Sequence, residues 1–448
     1  MLTPGIIPDT EPRLRVGIVL PEDNYTSITL VTPSESDYQI EHQGKRNAPG
    51  RSREILFKLH KNQLEYRLEN SVFSANEEIK IEPVTEEKAL SPQAGVMLKN
   101  VISGRDFHWK KQINVFLPGM VIIRRHEKNL LVINELPIEQ YLMCVATSEM
   151  GAACPPALIE AQTIAARSWM LANVEQKHVK LTMDVCNDDC CQRYQGTTFL
   201  SDQSVKGALN TYGQVLIYED KICDARYSKS CGGVMESFDT IWGGTNPPYF
   251  QVKADAAEEP MEWIKPLSEE AHFRRWVKSQ PMTFCSPWIV PEKELKKYLG
   301  SVDEEGTYFR WEEQITQDEL TKNINHFHDI AAKGIINLEV LNRGGSGRIN
   351  RLAVEYLDDS DEHQILLLQS DFSIRQSLHP KFLYSSALLI YPVMGKGVLP
   401  ESFRFLGAGW GHGAGLCQIG ALGMALQNYS SEQIIQHYYP GSELKKIF

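Results

Sequence analysis

The sequence has no excess of positive charge, because 46 Lys and Arg residues stand against 57 Asp and Glu residues and give a formal net charge of −11. A protein that binds nucleic acid neutralises phosphates with clustered Lys and Arg side chains. The charge balance therefore argues against a nucleic-acid partner.

Long apolar runs are also missing, and no stretch is long enough to span a bilayer. Residues 1–19 read MLTPGIIPDTEPRLRVGIV, with prolines and acids where a signal peptide needs a basic segment and then an apolar one. We therefore expect neither a transmembrane segment nor a signal peptide.

The nine cysteines do not form the even-numbered, closely spaced pattern of a small disulfide scaffold. Cys186, Cys190 and Cys191 crowd together, and thiolates at this spacing can converge on one cation. Tetrahedral zinc would take its fourth ligand from Cys231, which we prefer because it adjoins a glycine turn, or from His178. The alternative is a set of small buried thiols. The other cysteines are predicted to be isolated, namely Cys144, Cys154, Cys223, Cys285 and Cys417.

With 448 residues, 42% of them hydrophobic, the chain is long enough for a core domain with appended modules. The patterns predict an α+β fold. We expect an N-terminal β-rich accessory module over residues 1–115 and a larger domain over 116–448 that has short helices and β-hairpins. An inserted α/β segment is predicted at about 256–404, with strand-like runs at 336–341, 349–356 and 364–368.

A helix is predicted with Pro137 in its first turn and an end near Gly151, because apolar residues recur there at helical spacing. Glu149 lies on the apolar face in the last turn, whereas Glu139 is expected on the exposed side. Desolvation and the negative helix terminus would both favour a protonated Glu149, as a general acid requires. The alternative is a solvated Glu149 or one paired with Arg167.

Residues 407–418 read GAGWGHGAGLCQ, and the alternating glycines predict a loop with unusual backbone angles. Trp410, His412 and Gln418 project from a backbone that a ligand could approach closely. The register does not fit a nucleotide-binding glycine motif. The alternative is a structural turn that leads into the next helix.

Several motifs in one order resemble the stage II sporulation protein D / amidase-enhancer family. These are LPIEQYLMCVATSEM from Leu136, ALIEAQTIAARSW from Ala157, CCQRYQG from Cys190, SKSCGGVMESF from Ser228, GAGWGHGAGLCQIGALGMA from Gly407 and SSEQIIQHYYPG from Ser430. The sequence departs from the family pattern at Cys190, where the family commonly has His, and at Cys417, where it commonly has Ser.

The resemblance implies a peptidoglycan lytic transglycosylase that cleaves denuded glycan strands with Glu149 and holds a structural zinc near the Cys-Gln segment. His412 and Gln418 would orient the sugar, and Trp410 and Tyr194 would stack on it unless they belong to the core. A hydrolase would need a second carboxylate, for which Asp239 and Glu236 are the nearest candidates.

A different class of function stays open, in which the chain binds peptidoglycan without cleaving it and stimulates a cell-wall amidase. A third possibility is a metal-stabilised structural protein of a wall complex. The substrate implies a location in the cell envelope, whereas the apparent lack of a signal peptide leaves the cytoplasm open.

Overall fold

The computed structural model describes residues 1–85, 90–105, 110–188, 190–299 and 307–448. These residues divide into two compact units. The first comprises Met1–Asp224 together with Leu299 and Leu444–Phe448, and the second comprises Ala225–Tyr298 and the described part of Asp303–Glu443. The boundary predicted at residue 115 therefore falls inside the first unit.

The first unit is mainly β-structure over its first half. Its strands are β1 Arg13–Val19, β2 Ser27–Val31, β3 Tyr38–His42, β4 Lys45–Asn47, β5 Glu54–His60, β6 Gln63–Leu68, β7 Ser71–Ala75, β8 Glu78–Pro83, β9 Val96–Ser103, β10 Lys111–Leu117, β11 Met120–His126, β12 Asn129–Pro137, β13 Val185–Cys186, β14 Gln214–Tyr218 and β15 Lys221–Ile222. The helices are α1 Ile138–Glu149, α2 Pro156–Ala172 and α3 Asp202–Asn210.

Two larger sheets organise this unit, with strand orders β13-β1-β12-β11-β8-β3-β4 and β10-β9-β2-β5-β6-β7. Strands β11 and β12 form a β-hairpin, in which they pair antiparallel with Ile122 opposite Ile133. Strand β1 pairs with β12 from Arg13 opposite Pro137 onward. The β-rich N-terminal region thus shares a sheet with the residues beyond 115.

Helix α1 packs against α2 and α3, and its residues from Ile138 to Ser148 are all buried. The helix begins at Ile138, with Pro137 just before its first turn, and ends at Glu149. However, it is covered on all sides, so the prediction that Glu139 lies on an exposed face is wrong. A periodic apolar pattern identifies one buried face of a helix but does not require the opposite face to be exposed.

The second unit contains smaller sheets and seven helices among its described residues. Its strands are β16 Tyr227–Ser228, β17 Val234–Met235, β18 Lys253–Ala254, β19 Arg310–Thr316, β20 Ala332–Arg343, β21 Ile349–Asp358, β22 His363–Gln369, β23 Leu388–Met394, β24 Pro400–Ala408 and β25 Leu416–Cys417. Strand β26 Glu443–Lys446 joins β14 in the sheet β15-β14-β26. The helices are α4 Phe238–Trp242, α5 Glu270–Lys278, α6 Glu292–Leu299, α7 Gln317–His328, α8 Asp371–Leu378, α9 Gln418–Leu426 and α10 Ser431–Tyr438.

Three-stranded sheets β19-β24-β23 and β20-β21-β22 enclose an apolar core with α7 and α8, which includes Leu320, Ile349, Leu352 and Phe403. The three runs predicted as strands in the inserted segment lie within β20, β21 and β22. Strands in small sheets and separate helices together confirm the predicted α+β fold class. Among the described residues, none of the helices combines the length and the apolar character that crossing a bilayer requires.

Candidate active site and metal centres

Glu149 is the last residue of α1 and is partly buried. Its Oε1 accepts a hydrogen bond from the backbone N–H of Arg193 at 3.1 Å. Arg193 follows the cysteine-rich segment directly, so that segment helps to fix the carboxylate.

The three neighbouring cysteines gather with His178 in the first unit, and their four ligand atoms lie within 4.8 Å of one another. We call this group the first cluster. Cys191 Sγ lies 3.4 Å from His178 Nε2, and Cys190 Sγ lies 4.0 Å from the same nitrogen. With metal–ligand distances of about 2.1–2.3 Å, the edges of a tetrahedral zinc site measure roughly 3.5–3.8 Å. The donor set fits zinc, and these two sulfur–nitrogen distances and the 3.9 Å between Cys190 Sγ and Cys191 Sγ lie near the edges, whereas Cys186 Sγ and Cys190 Sγ are closer, at 3.0 Å.

The choice of Cys231 as the fourth ligand is wrong, because that residue belongs to a different group in the second unit. His178, the alternative, occupies the fourth position. A single turn of 3₁₀ helix, Val179–Leu181, follows His178 and carries the chain back towards β13, where Cys186 lies. Cys186 also packs in an apolar cluster with Leu20 and Met183, which anchors one side of the first cluster.

A buried ion pair near α1 was not anticipated. The Arg167 guanidinium donates to both carboxylate oxygens of Glu139, at 2.8 and 2.6 Å, and Arg167 has no exposed surface. Gly213 N–H adds a third donor to Glu139 at 3.1 Å. Arg167 was considered as a partner for Glu149, but it pairs with Glu139 instead. The helical spacing of Glu139 gave no indication of this role, because its partner lies on another helix.

Tyr194 is fully buried, stacks on Tyr141 with ring centroids 5.1 Å apart, and donates to Asn134 Oδ1 at 2.6 Å. A ring in this position cannot stack on a sugar, so the prediction that Tyr194 binds substrate is wrong. Gln418, the first residue of α9, is also buried, which is inconsistent with direct contact to a glycan strand. Both residues are part of the core.

The glycine-rich loop lies in the second unit, between β24 and β25. Gly409, Gly411, Gly413 and Gly415 all have positive φ, between 71° and 92°, as the alternating glycines predicted. At Gly415 a Cβ atom would lie 2.1 Å from the carbonyl oxygen of Arg226. The close approach is therefore to the protein's own backbone.

Hydrogen bonds pair this loop with residues 226–231. Trp410 N–H donates to Ser230 O at 2.8 Å, and the reverse bond is 2.9 Å long. Beneath the loop, the buried guanidinium of Arg348 donates to Gly411 O at 3.3 Å and to Cys231 O at 3.4 Å. Arg348 was not singled out from the sequence, because no local pattern marks a buried arginine.

His412 uses both ring nitrogens within the second unit. Nε2 donates to Tyr227 O at 2.9 Å, and Nδ1 accepts from Ala414 N at 3.1 Å. Burial, with the charge of Arg226, lowers the pKa of His412 to about 3, so the imidazole is neutral at physiological pH. Trp410 stacks on Tyr308 with centroids 4.7 Å apart and is partly buried. The proposed sugar contacts of His412 and Trp410 stay predictions.

The two candidate partner acids differ in exposure. Glu236 is completely buried, and both of its oxygens accept hydrogen bonds, from Ser237 and Gly345 on one side and from Ser346 on the other. Asp239 is exposed in the first turn of α4. Both belong to the second unit. Glu236 is held as a structural carboxylate and is not available to activate water.

Comparisons with known proteins support the predicted resemblance. Residues 126–218 match the family model of the stage II sporulation protein, and this span contains Glu149 and the whole first cluster. Residues 236–415 match a separate model, a Domain of unknown function (DUF8618). The second model covers the whole of the segment predicted as an insertion.

Three relatives align with more than half of the chain. A stage II sporulation protein D of Bacillus amyloliquefaciens is 25% identical over 70% of this chain and 76% of its own. An amidase enhancer of Bacillus subtilis is 25% identical over 67% of this chain but only 39% of its own. An uncharacterized protein of Brachyspira hyodysenteriae is 22% identical over 73% and 71%. The predicted resemblance to the stage II sporulation protein D / amidase-enhancer family is confirmed.

Proposed function

We propose that this protein is a peptidoglycan lytic transglycosylase that cleaves glycan strands with Glu149 as general acid and base. Its similarity to a stage II sporulation protein D and to an amidase enhancer supports a cell-wall-related role. The observation that carries the proposal is the position of Glu149, a partly buried carboxylate fixed by the Arg193 amide beside the first cluster.

The reaction needs one carboxylate and no water. Glu149 gives its proton to the glycosidic oxygen as the bond from that oxygen to C1 of N-acetylmuramic acid breaks. The C6 hydroxyl of the same sugar then attacks C1 and returns its proton to Glu149. The products are a 1,6-anhydromuramyl end and a free hydroxyl on the leaving sugar, so atoms and charges balance.

This scheme does not require a second acid, whereas hydrolases place two carboxyl groups about 5–10 Å apart. Of the two acids considered from the sequence, Glu236 is buried and fully hydrogen bonded. Attack by the sugar's own hydroxyl removes the need for a group that activates water.

The first cluster would bind a structural zinc ion through His178, Cys186, Cys190 and Cys191. Four protein ligands leave no open position for a catalytic water, so the ion's contribution is structural. The four ligand residues would then act on Glu149 only through the backbone that they hold. The cluster holds the segment that ends at Arg193, and the Arg193 amide orients Glu149.

A second candidate function is stimulation of a cell-wall amidase, for which the amidase enhancer of Bacillus subtilis gives the specific support. In that case the chain would bind peptidoglycan and contact the amidase without cleaving glycan strands. Either function places the protein in the cell envelope, which agrees with the roles that the two named relatives suggest.

The proposal is tested with Glu149→Gln, which keeps the shape of the side chain but removes the transferable proton. Purified protein is incubated with denuded glycan strands, and anhydromuramyl ends are counted by mass spectrometry. Loss of a positioned general acid should lower the rate by about 10²–10⁴. The matched control is Glu127→Gln, an exposed residue in the turn between β11 and β12, which should retain the parent rate.

Strand binding should persist in Glu149→Gln. If the folded variant releases anhydromuramyl ends at the parent rate, Glu149 is not the acid. If the unaltered protein sediments with sacculi, releases no such ends and accelerates an added amidase, the amidase-enhancer function is correct instead.

A further inference from the structure

A second group of potential ligands lies in the second unit. Each of its four residues contributes one ligand atom, and these atoms lie within 4.8 Å of one another. The residues are Cys231, Asp255, Cys285 and Cys417. We call this group the second cluster. All four residues are buried, with at most 3% of their surface exposed. The prediction that Cys285 and Cys417 are isolated is therefore wrong.

We propose that the second cluster is a zinc site formed by three cysteine thiolates and one aspartate oxygen. Cys231 Sγ lies 3.7 Å from Cys285 Sγ and 3.4 Å from Asp255 Oδ2. In a tetrahedral zinc site, bond lengths of about 2.3 Å to sulfur and 2.0 Å to oxygen give edges of roughly 3.8 and 3.5 Å. The two spacings match these edges, and thiolate-rich donor sets favour zinc among common divalent cations.

Asp255 is prepared for binding through one oxygen. Its Oδ1 accepts from Tyr438 Oη at 2.8 Å and lies 3.4 Å from His437 Nε2, whereas Oδ2 faces the thiols. Such outer contacts orient metal-binding carboxylates in known sites.

Cys417 is prepared as an anionic ligand. It caps the N-terminus of α9, and its Sγ accepts from Gly420 N at 3.3 Å and Cys231 N at 3.2 Å. Cys417 stands where the family pattern commonly has serine, so this chain has a thiolate ligand at that position.

The surroundings hold the ligands together and supply positive charge. Phe284 N donates to Asp255 O, and Asp255 N donates to Gly233 O at 3.0 Å, so the three ligand-bearing segments are already connected. The partly buried Arg310 guanidinium donates to Gly232 O at 2.9 Å. A buried group of three thiols and a carboxylate is unfavourable as anions without a cation, and zinc supplies the missing charge.

The proposal is tested by counting zinc in the full chain, purified under reducing conditions, by plasma mass spectrometry. The unaltered protein should hold about two zinc ions per chain, one in each cluster. Cys285→Ser should hold about one, as should the Cys190→Ser/Cys191→Ser double variant, which disables the first cluster. The control is Cys223→Ser, a buried thiol outside both clusters, which should keep about two.

Because loss of a buried ligand can prevent folding, two further measurements are included. Native mass spectrometry of the unaltered protein should show the added mass of two zinc ions. Cys285→Asp, which keeps an anionic ligand, should retain about two. The proposal is overturned if the folded Cys190→Ser/Cys191→Ser double variant holds no zinc, or if folded Cys285→Ser holds as much zinc as the unaltered chain. The double variant reports separately on the first cluster, so the failure of one site is distinguishable from the failure of the other.

Discussion

The ion pair between Glu139 and Arg167 gives a quantitative test of how the first unit is stabilised. Glu139→Gln keeps the size of the side chain but removes its charge, while Arg167 stays buried and charged. Arg167 is fully buried, Glu139 has only 4% of its side chain exposed, and two hydrogen bonds of 2.6 and 2.8 Å connect them. Solvent screening is therefore weak, and removing one partner should cost about 3–5 kcal/mol of unfolding free energy.

This change is large enough to measure by thermal and urea unfolding followed by circular dichroism. For a unit of this size the expected fall in Tm is on the order of 10 °C. The control Glu127→Gln removes an exposed carboxylate from the same unit and should change stability by less than about 0.5 kcal/mol.

A double variant separates the loss of the pair from the cost of the unpaired charge. Glu139→Gln combined with Arg167→Met removes both charges and should recover part of the stability lost in Glu139→Gln alone. A stability of Glu139→Gln within 0.5 kcal/mol of the parent would refute the assignment of this pair as a buried, unscreened interaction.

Two other predictions concern the first cluster and the glycine loop. Chelation of zinc, or Cys190→Ser, should lower the Tm of the first unit before it alters the chemistry of Glu149. Metal analysis follows the loss of zinc, and calorimetry follows the Tm. An unchanged Tm after complete metal loss would argue against a structural zinc. For His412, the folded pKa of about 3 lies below the ordinary value of 6.5, so the unfolded chain binds the proton first as the pH falls. The stabilisation from neutral His412 is complete above pH 6.5 and is lost as the pH falls towards 3. His412→Gln should therefore weaken the pH dependence of the unfolding free energy, measured with urea, between these two values. An unchanged pH dependence would contradict the burial of this ring.

Features that depend on neighbours in the chain could be predicted from the sequence. The start and end of α1 follow from helical spacing after Pro137, and the positive φ angles of the glycine loop follow from alternating glycines. Cys186, Cys190 and Cys191 lie within six positions, so their approach to one point requires only a local turn. The family resemblance depends on ordered motifs and was likewise readable from the sequence.

Features that depend on distant residues were decided by the tertiary structure. His178 rather than Cys231 completes the first cluster, because the chain returns to β13 after His178, whereas Cys231 lies in the second unit. Glu139 is buried because Arg167 from α2 neutralises it, and helical spacing contains no information about that partner. The second cluster brings together Asp255 and three cysteines from positions 231 to 417. Contacts over such separations depend on how the strands pair and the helices pack, and no local pattern specifies them.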